Sequence, residues 1–161
     1  MSIHLHFRAV AEPDIRDDHT WLAAFMSEAW SRHAEEYAAG IARSINKTWT
    51  LVDDLYAAAR VIAPDPHEPW TLPVYGGRPV PHTPDADPSD PPLMLLEPPG
   101  VARAASFLTH VSFDALWNAA GARFSTVAGA REELLEHHQD LVEFYARAAS
   151  SGHAVVKAVW A

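Results

Sequence analysis

Proline is concentrated in one part of this chain and divides the chain into three. Twelve of the thirteen prolines lie between Pro64 and Pro99 in a sequence of 161 residues. Because proline has no backbone N–H and a fixed φ, this stretch excludes long helices and central strands. We therefore expect the long regular elements on either side of it, and an exposed loop with little to bury over residues 81–92.

The N-terminal part has the pattern of a strand followed by two helices. Residues 3–7 alternate between apolar side chains and histidine, which predicts a half-buried strand with His4 and His6 on its less buried face. Apolar residues then recur at intervals of three and four over residues 19–39 and 45–60. That spacing predicts two helices, each with one face toward a core.

Short strands and further helices are predicted for the rest of the chain. The glycine pair at 76 and 77 predicts a short hairpin between residues 70–75 and 78–80. The elements expected after it are a strand over 93–96, a helix over 98–109, a short helix capped by Ser112, a long helix over 130–150 and a final strand over 154–160.

This order of elements predicts the fold class. Strict alternation of strand and helix is absent, so the doubly wound α/β folds are disfavoured. We expect an α+β protein with a single domain over residues 1–161. Its small, mixed sheet should include both terminal strands and pack against four or five helices.

Composition excludes several functions. Twelve Lys and Arg face 21 Asp and Glu, a formal net charge of -9, so nucleic acid and anionic membranes are not expected partners. There is no cysteine, which excludes disulfides and thiolate chemistry. The first residues lack the pattern of a secretion signal, and no apolar run approaches the roughly 18 residues of a membrane span. These features favour a cytoplasmic location.

Several segments together resemble the YfbM-like bacterial family of unknown function, and they cover nearly the whole chain. Where the resemblance implies a histidine in the helix that carries Trp49, this chain has Asp53. The resemblance implies a compact α+β fold and no particular activity. The segments that carry it are His6–Val10, Lys47–Val52, Tyr75–Val80, Leu93–Ala105 and Phe144–Val156.

Two groups of residues are candidate sites. His4 and His6 share one face of a strand at a spacing that lets two imidazoles reach one divalent metal ion, if a carboxylate supplies a third ligand. The alternative is a pair of histidines on a covered strand. Trp49, Asp53 and Tyr56 lie on neighbouring turns of one helix and, with Trp70, form a candidate ligand pocket. The alternative for this second group is ordinary core with a polar edge.

The last long helix also carries candidates. Glu133, His137 and Asp140 lie at intervals of four and three, so they form one ridge that suits a cation or an acid–base pair, or simply a solvated face. His138 falls on the apolar stripe and is predicted to be a hydrogen-bonded core histidine. We assign His33 to the same class.

No phosphate loop, nucleophile elbow or dinucleotide fingerprint occurs in the sequence. The first functional hypothesis is therefore a non-catalytic acidic binding protein, similar to an inhibitor or immunity protein, that needs no cofactor and faces a basic protein partner. The alternative is a small metal-assisted hydrolase or small-molecule-binding enzyme that uses His4, His6 and a carboxylate.

Overall fold

A five-stranded sheet forms the centre of the protein, and its strands lie in the order β2-β1-β5-β4-β3. The computed structural model describes residues 3–160. Every neighbouring pair of strands is antiparallel. The strands are β1 (His4–Ala11), β2 (Ala42–Ile45), β3 (Arg78–Pro79), β4 (Met94–Leu96) and β5 (His153–Trp160).

The two terminal strands pair with each other along their full length. The register runs from His4 opposite Trp160 to Ala11 opposite His153, which confirms the prediction that both ends of the chain join one sheet. The prediction of a mixed sheet is wrong. The connections between β1 and β2, β3 and β4, and β4 and β5 each bring the chain back in the opposite direction beside the strand it has just left.

Helices make up most of the remaining structure, and two predicted helices are broken. The first breaks at Arg32, whose guanidinium contacts Glu28 on one side of the break and Glu35 on the other. The second is preceded by the unpredicted strand β2 and breaks at Ala58. The helices are α1 (His19–Ser31), α2 (His33–Ala39), α3 (Trp49–Ala57), α4 (Ala59–Ile62), α5 (Pro98–His110), α6 (Phe113–Ala120) and α7 (Ala130–Ser150). Ser112 caps α6 as predicted.

Both faces of the sheet are covered. Leu5, Phe7 and Val155 point to the side covered by α3, α5, α6 and α7. Val10 and Val156 point to the other side, where α1 packs. The prediction of a less buried histidine face is therefore wrong for His6, which is 0% exposed.

The proline-rich segment forms turns rather than a strand at residues 70–75. Pro69–Thr71 is a single turn of 3-10 helix, and Gly76-Gly77 leads into β3. Residues 81–92 are predominantly exposed, as predicted for the loop. Within residues 3–160, no helix combines the length and apolarity needed to cross a membrane.

Candidate functional site

A surface cavity of about 250 Å³ lies between α3–α4 and the turn at residues 69–75. Asp53, Ala57 and Arg60 are spaced by four and three residues, so the two short helices present them on one side. The turn supplies aromatic side chains and a hydroxyl on the opposite side. We call this the Asp53 cavity, and its lining residues are Asp53, Ala57, Arg60, Trp70, Thr71 and Tyr75.

A buried lysine holds the turn that forms the wall of this cavity. Lys157 is 0% exposed, and its Nζ donates hydrogen bonds to the carbonyl oxygens of Leu72, at 2.5 Å, and Gly76, at 2.8 Å. The ammonium group lies 5.9 Å from the ring centres of Phe7 and Tyr145. Burial lowers the pKa of Lys157 well below its ordinary value, and the negative charge of Asp53 only partly opposes this shift.

Further hydrogen bonds fix the same turn. The hydroxyl of Tyr145 donates to the Pro73 carbonyl oxygen at 2.7 Å, and that of Tyr75 donates to the Pro92 carbonyl oxygen at 2.5 Å. Glu68, just before the turn, has a φ of 46°, which is a strained backbone conformation for a residue other than glycine. The wall is therefore fixed from several sides, so it is formed before any ligand arrives.

Asp53 is the electrostatically unusual group of the cavity. Its pKa is raised above the ordinary value, first because burial removes water from the carboxylate and second because Asp54 carries a like charge. The positive charge of Lys157 acts in the opposite direction and is the weaker effect. Among residues 3–160, no side chain or backbone N–H donates a hydrogen bond to the Asp53 carboxylate. A partly desolvated carboxylate of this kind is suited to accept a hydrogen bond from a ligand.

The aromatic part of the cavity has an unused donor. Trp70 is 4% exposed, and its indole N–H has no hydrogen-bond partner within the part of the chain that is described. Tyr75 lines the cavity beside it, and the Trp49 ring lies 5.7 Å from the Tyr75 ring. Burial raises the pKa of Tyr75, so its hydroxyl keeps its proton and remains a donor to Pro92.

The structure brings together two of the four predicted pocket residues. Asp53 and Trp70 line the cavity, and Trp49 contacts it only through Tyr75. Tyr56 is 0% exposed and lies in the core, where its hydroxyl is 3.0 Å from Nδ1 of His138. This contact confirms the prediction of a hydrogen-bonded core position for His138.

The predicted metal residues lie in an aromatic cluster on the other face of the sheet. The rings of His4 and His6 are 5.3 Å and 5.8 Å from the ring of Trp30. Within residues 3–160, no three His, Cys, Asp or Glu side chains come together as a metal site. Neither ring nitrogen of His6 has a hydrogen-bond partner in the described chain. His33 stacks on Trp30 from the surface and is exposed, so its assignment to the core is wrong.

Two members of the predicted ridge on α7 meet a threonine. The hydroxyl of Thr48 donates to Glu133 at 2.9 Å and lies 3.2 Å from Nε2 of His137. These contacts join α7 to the start of α3. Through these contacts Glu133 and His137 help to hold the two helices together.

Four residues of the site and its wall were not predicted from the sequence, namely Arg60, Thr71, Tyr75 and Lys157. The burial of Lys157 was predictable, because this residue alternates with Val155 and Val159 on the core-facing side of a strand whose neighbouring residues are apolar. The other three residues have no such pattern, since only the folded turn places them opposite Asp53.

The antiparallel sheet with helices packed on both faces defines this chain as an α+β protein. A family model described as a domain of unknown function (DUF1877) matches residues 1–157, and the chain belongs to that family. The crystal structure of a protein of unknown function, YfbM from Escherichia coli, is similar with a TM-score of 0.58 and 12% identity. The match covers 98% of this chain and 99% of that one.

These matches confirm the resemblance to a YfbM-like family. At 12% identity, the likeness to YfbM shows the fold alone. No curated protein matches the sequence. Neither the family description nor the structural neighbour assigns a function.

Proposed function

We propose that this protein binds a small molecule that carries both an ammonium group and an acidic group. The observation that carries the proposal is the partly desolvated Asp53 carboxylate in the wall of a preformed cavity. A ligand ammonium supplies the hydrogen bonds and the positive charge that Asp53 lacks, which makes this pair the centre of the proposed site.

Arg60 extends the proposed recognition to an acidic group. It lines the same cavity, is exposed, and makes no ion pair among residues 3–160. Asp53 lies on α3 and Arg60 on α4, seven positions further along the chain and beyond the break at Ala58. This separation favours a ligand whose two charges are several bonds apart over a compact one such as glycine.

The cavity wall supports binding in two further ways. The rings of Trp70 and Tyr75 provide flat apolar surface, and an aromatic face attracts an organic cation. Because Lys157 and Tyr145 already hold the turn, little conformational entropy is lost when the ligand arrives.

Thermal denaturation in the presence of an ω-amino acid series tests this proposal. Glycine, β-alanine, γ-aminobutyrate and ε-aminocaproate share the same two charged groups and differ only in spacing. We expect the longer members to raise the melting temperature more than glycine does. Hexylamine and hexanoate carry one charge each and should stabilise less than ε-aminocaproate. Equal, small shifts for the whole series would contradict the proposal.

The basic protein partner predicted from net charge, and a divalent metal at His4 and His6, stay predictions. Capture of a partner whose affinity falls with added salt would support the first. Metal analysis of protein purified without an affinity tag would decide the second.

A further inference from the structure

A second cavity, of about 420 Å³, is bordered by Pro69, which begins the turn that bounds the Asp53 cavity. One wall is the face of α5 that carries Arg103, Ser106 and His110, which are spaced by three and four residues. The opposite wall is the loop that carries Asp65 and His67. We call this space the Arg103 cavity.

Most polar side chains of the Arg103 cavity can donate a hydrogen bond. Arg103 is exposed and makes no ion pair within residues 3–160. His67 and His110 add two imidazoles. The single acidic side chain, Asp65, already accepts a hydrogen bond of 2.8 Å from the backbone N–H of His67 through Oδ1. With histidine counted as neutral, the charges of Arg103 and Asp65 cancel, so this cavity does not share the excess of negative charge that gives the chain its net charge of -9.

Hydrogen bonding fixes which atom of His110 is available. Its Nδ1 lies 2.8 Å from the carbonyl oxygen of Ser106. A carbonyl oxygen only accepts, so Nδ1 carries the proton and Nε2 of the neutral ring is an acceptor, which leaves Arg103 and Ser106 as the donors of this wall. The Ser106 hydroxyl and the Arg103 guanidinium lie on the same face of α5, where they are positioned to donate to one group.

Apolar side chains supply the rest of the lining. Phe107 and Val111 border the cavity, and the Phe107 ring is itself held by an edge contact of 5.7 Å with Tyr56. The space therefore joins a donor-rich wall to a fixed apolar floor. A volume of about 420 Å³ falls within the range of about 300–1,000 Å³ that is typical of small-molecule sites.

We propose that the Arg103 cavity binds a small organic anion whose phosphate or carboxylate group pairs with Arg103 and whose apolar body lies on Phe107. Guanidinium groups recognise both of these anionic groups through paired hydrogen bonds. The site is separate from the Asp53 cavity and does not depend on the function proposed there.

Calorimetric titration with phenyl phosphate tests the site, with inorganic phosphate and phenol as its two halves. We expect phenyl phosphate to bind more tightly than either half. Backbone amide shifts in NMR spectra should concentrate at residues 63–69 and 103–111. Titration with benzoate distinguishes a carboxylate from a phosphate preference, because the apolar body is the same.

Arg103→Gln and Arg123→Gln form a matched pair of variants. Both arginines are exposed and without an ion pair among residues 3–160, and Arg123 lies outside this cavity. Arg103→Gln should weaken the binding of phenyl phosphate by about tenfold or more, since a hydrogen bond to a charged group contributes about 1.5–3 kcal/mol. Arg123→Gln changes the net charge equally and should leave the affinity within about twofold.

Three results would overturn the proposal. They are the absence of phenyl phosphate binding, equal loss of affinity in the two variants, and amide shifts confined to the Asp53 cavity. Because both substituted side chains are exposed, thermal denaturation should show that both variants fold as the wild type does.

Discussion

The Nζ atom of Lys157 lies 2.8 Å from the carbonyl oxygen of Gly76, and this hydrogen bond joins the last strand to the turn that forms one wall of the Asp53 cavity. A lysine ammonium group inside an apolar core loses its hydration. This loss destabilises the folded state unless hydrogen bonds to buried groups compensate for it. Here the ammonium group donates hydrogen bonds to two carbonyl oxygens of a proline-rich turn, and the turn itself supplies no donor for them.

Lys157→Met should destabilise the protein. The variant fills similar space but leaves the carbonyl oxygens of Leu72 and Gly76 without a donor, and each unpaired buried group costs about 1–3 kcal/mol. The variant also removes the ammonium group whose burial costs free energy, and this gain offsets part of the cost of the unpaired carbonyl groups. We therefore expect the free energy of unfolding, measured in urea, to fall by about 2 kcal/mol. Lys47→Met, at an exposed position, is the control and should change this free energy by less than about 0.5 kcal/mol.

The ion pair of Arg8 and Glu36 should show strong coupling. The two groups are 2.5 Å apart, with side chains 8% and 1% exposed. Removing one partner leaves the other charge buried and alone, so Arg8→Met should cost about 3–5 kcal/mol. The double variant Arg8→Met/Glu36→Leu should recover much of that loss.

The exposed pair Arg32 and Glu35 is the control for this cycle. Its side chains are 47% and 71% exposed, so its coupling energy should stay below about 1 kcal/mol. Similar coupling energies for the buried and exposed pairs would show that burial does not govern the Arg8 pair.

His6 should make the protein sensitive to acid. Burial, aided by the nearby charge of Arg8, lowers the pKa of His6 from 6.5 to about 4. The folded state therefore binds a proton less readily than the unfolded state, and the stability present above pH 6.5 falls as the pH is lowered toward 4. A difference of 2.5 in pKa corresponds to roughly 3 kcal/mol.

His6→Leu should remove this part of the acid sensitivity. The measurement is the free energy of unfolding of the wild type and the variant in urea at several pH values between 7 and about 4. The two curves should separate as the pH falls, with the wild type losing more stability. Parallel curves would mean that His6 is hydrated or hydrogen-bonded in solution.

The sequence predicts those elements whose pattern is local. The α7 helix and both terminal strands are found where the hydrophobic periodicity predicts them, and Ser112 caps α6 as predicted. The alternation of residues 3–7 indicates that one face of β1 is apolar. It does not show that α1 and α2 cover the other face, so the burial of His6 was not predictable from it. Strand β2 was missed for a related reason, since its four residues are a strand only because they pair with β1.

The candidate site is predictable only in part. Asp53 and Trp70 stood out as polar and aromatic residues near apolar stripes, and both line the cavity. Tyr56 belongs to the same helix as Asp53 and to the same predicted pocket, but its side chain is buried in the core against His138. The wall that faces Asp53 depends on hydrogen bonds from Lys157 and Tyr145, which are far away in the sequence.

Comparison of Asp53→Asn with Asp54→Asn is the most direct test of the Asp53 cavity as a binding site. The two residues are adjacent and lose the same charge, but only Asp53 lines the cavity, while Asp54 is exposed. Because burial raises the pKa of Asp53, its ionised form destabilises the folded state above its ordinary pKa. Asp53→Asn should therefore raise the free energy of unfolding at pH 7 by roughly 0.5–1 kcal/mol.

The same pair of variants is then heated with and without ε-aminocaproate. We expect Asp53→Asn, although more stable alone, to lose the thermal stabilisation by this compound, whereas Asp54→Asn keeps it. An Asp53→Asn protein that is less stable than the wild type and still responds to ε-aminocaproate would contradict the account.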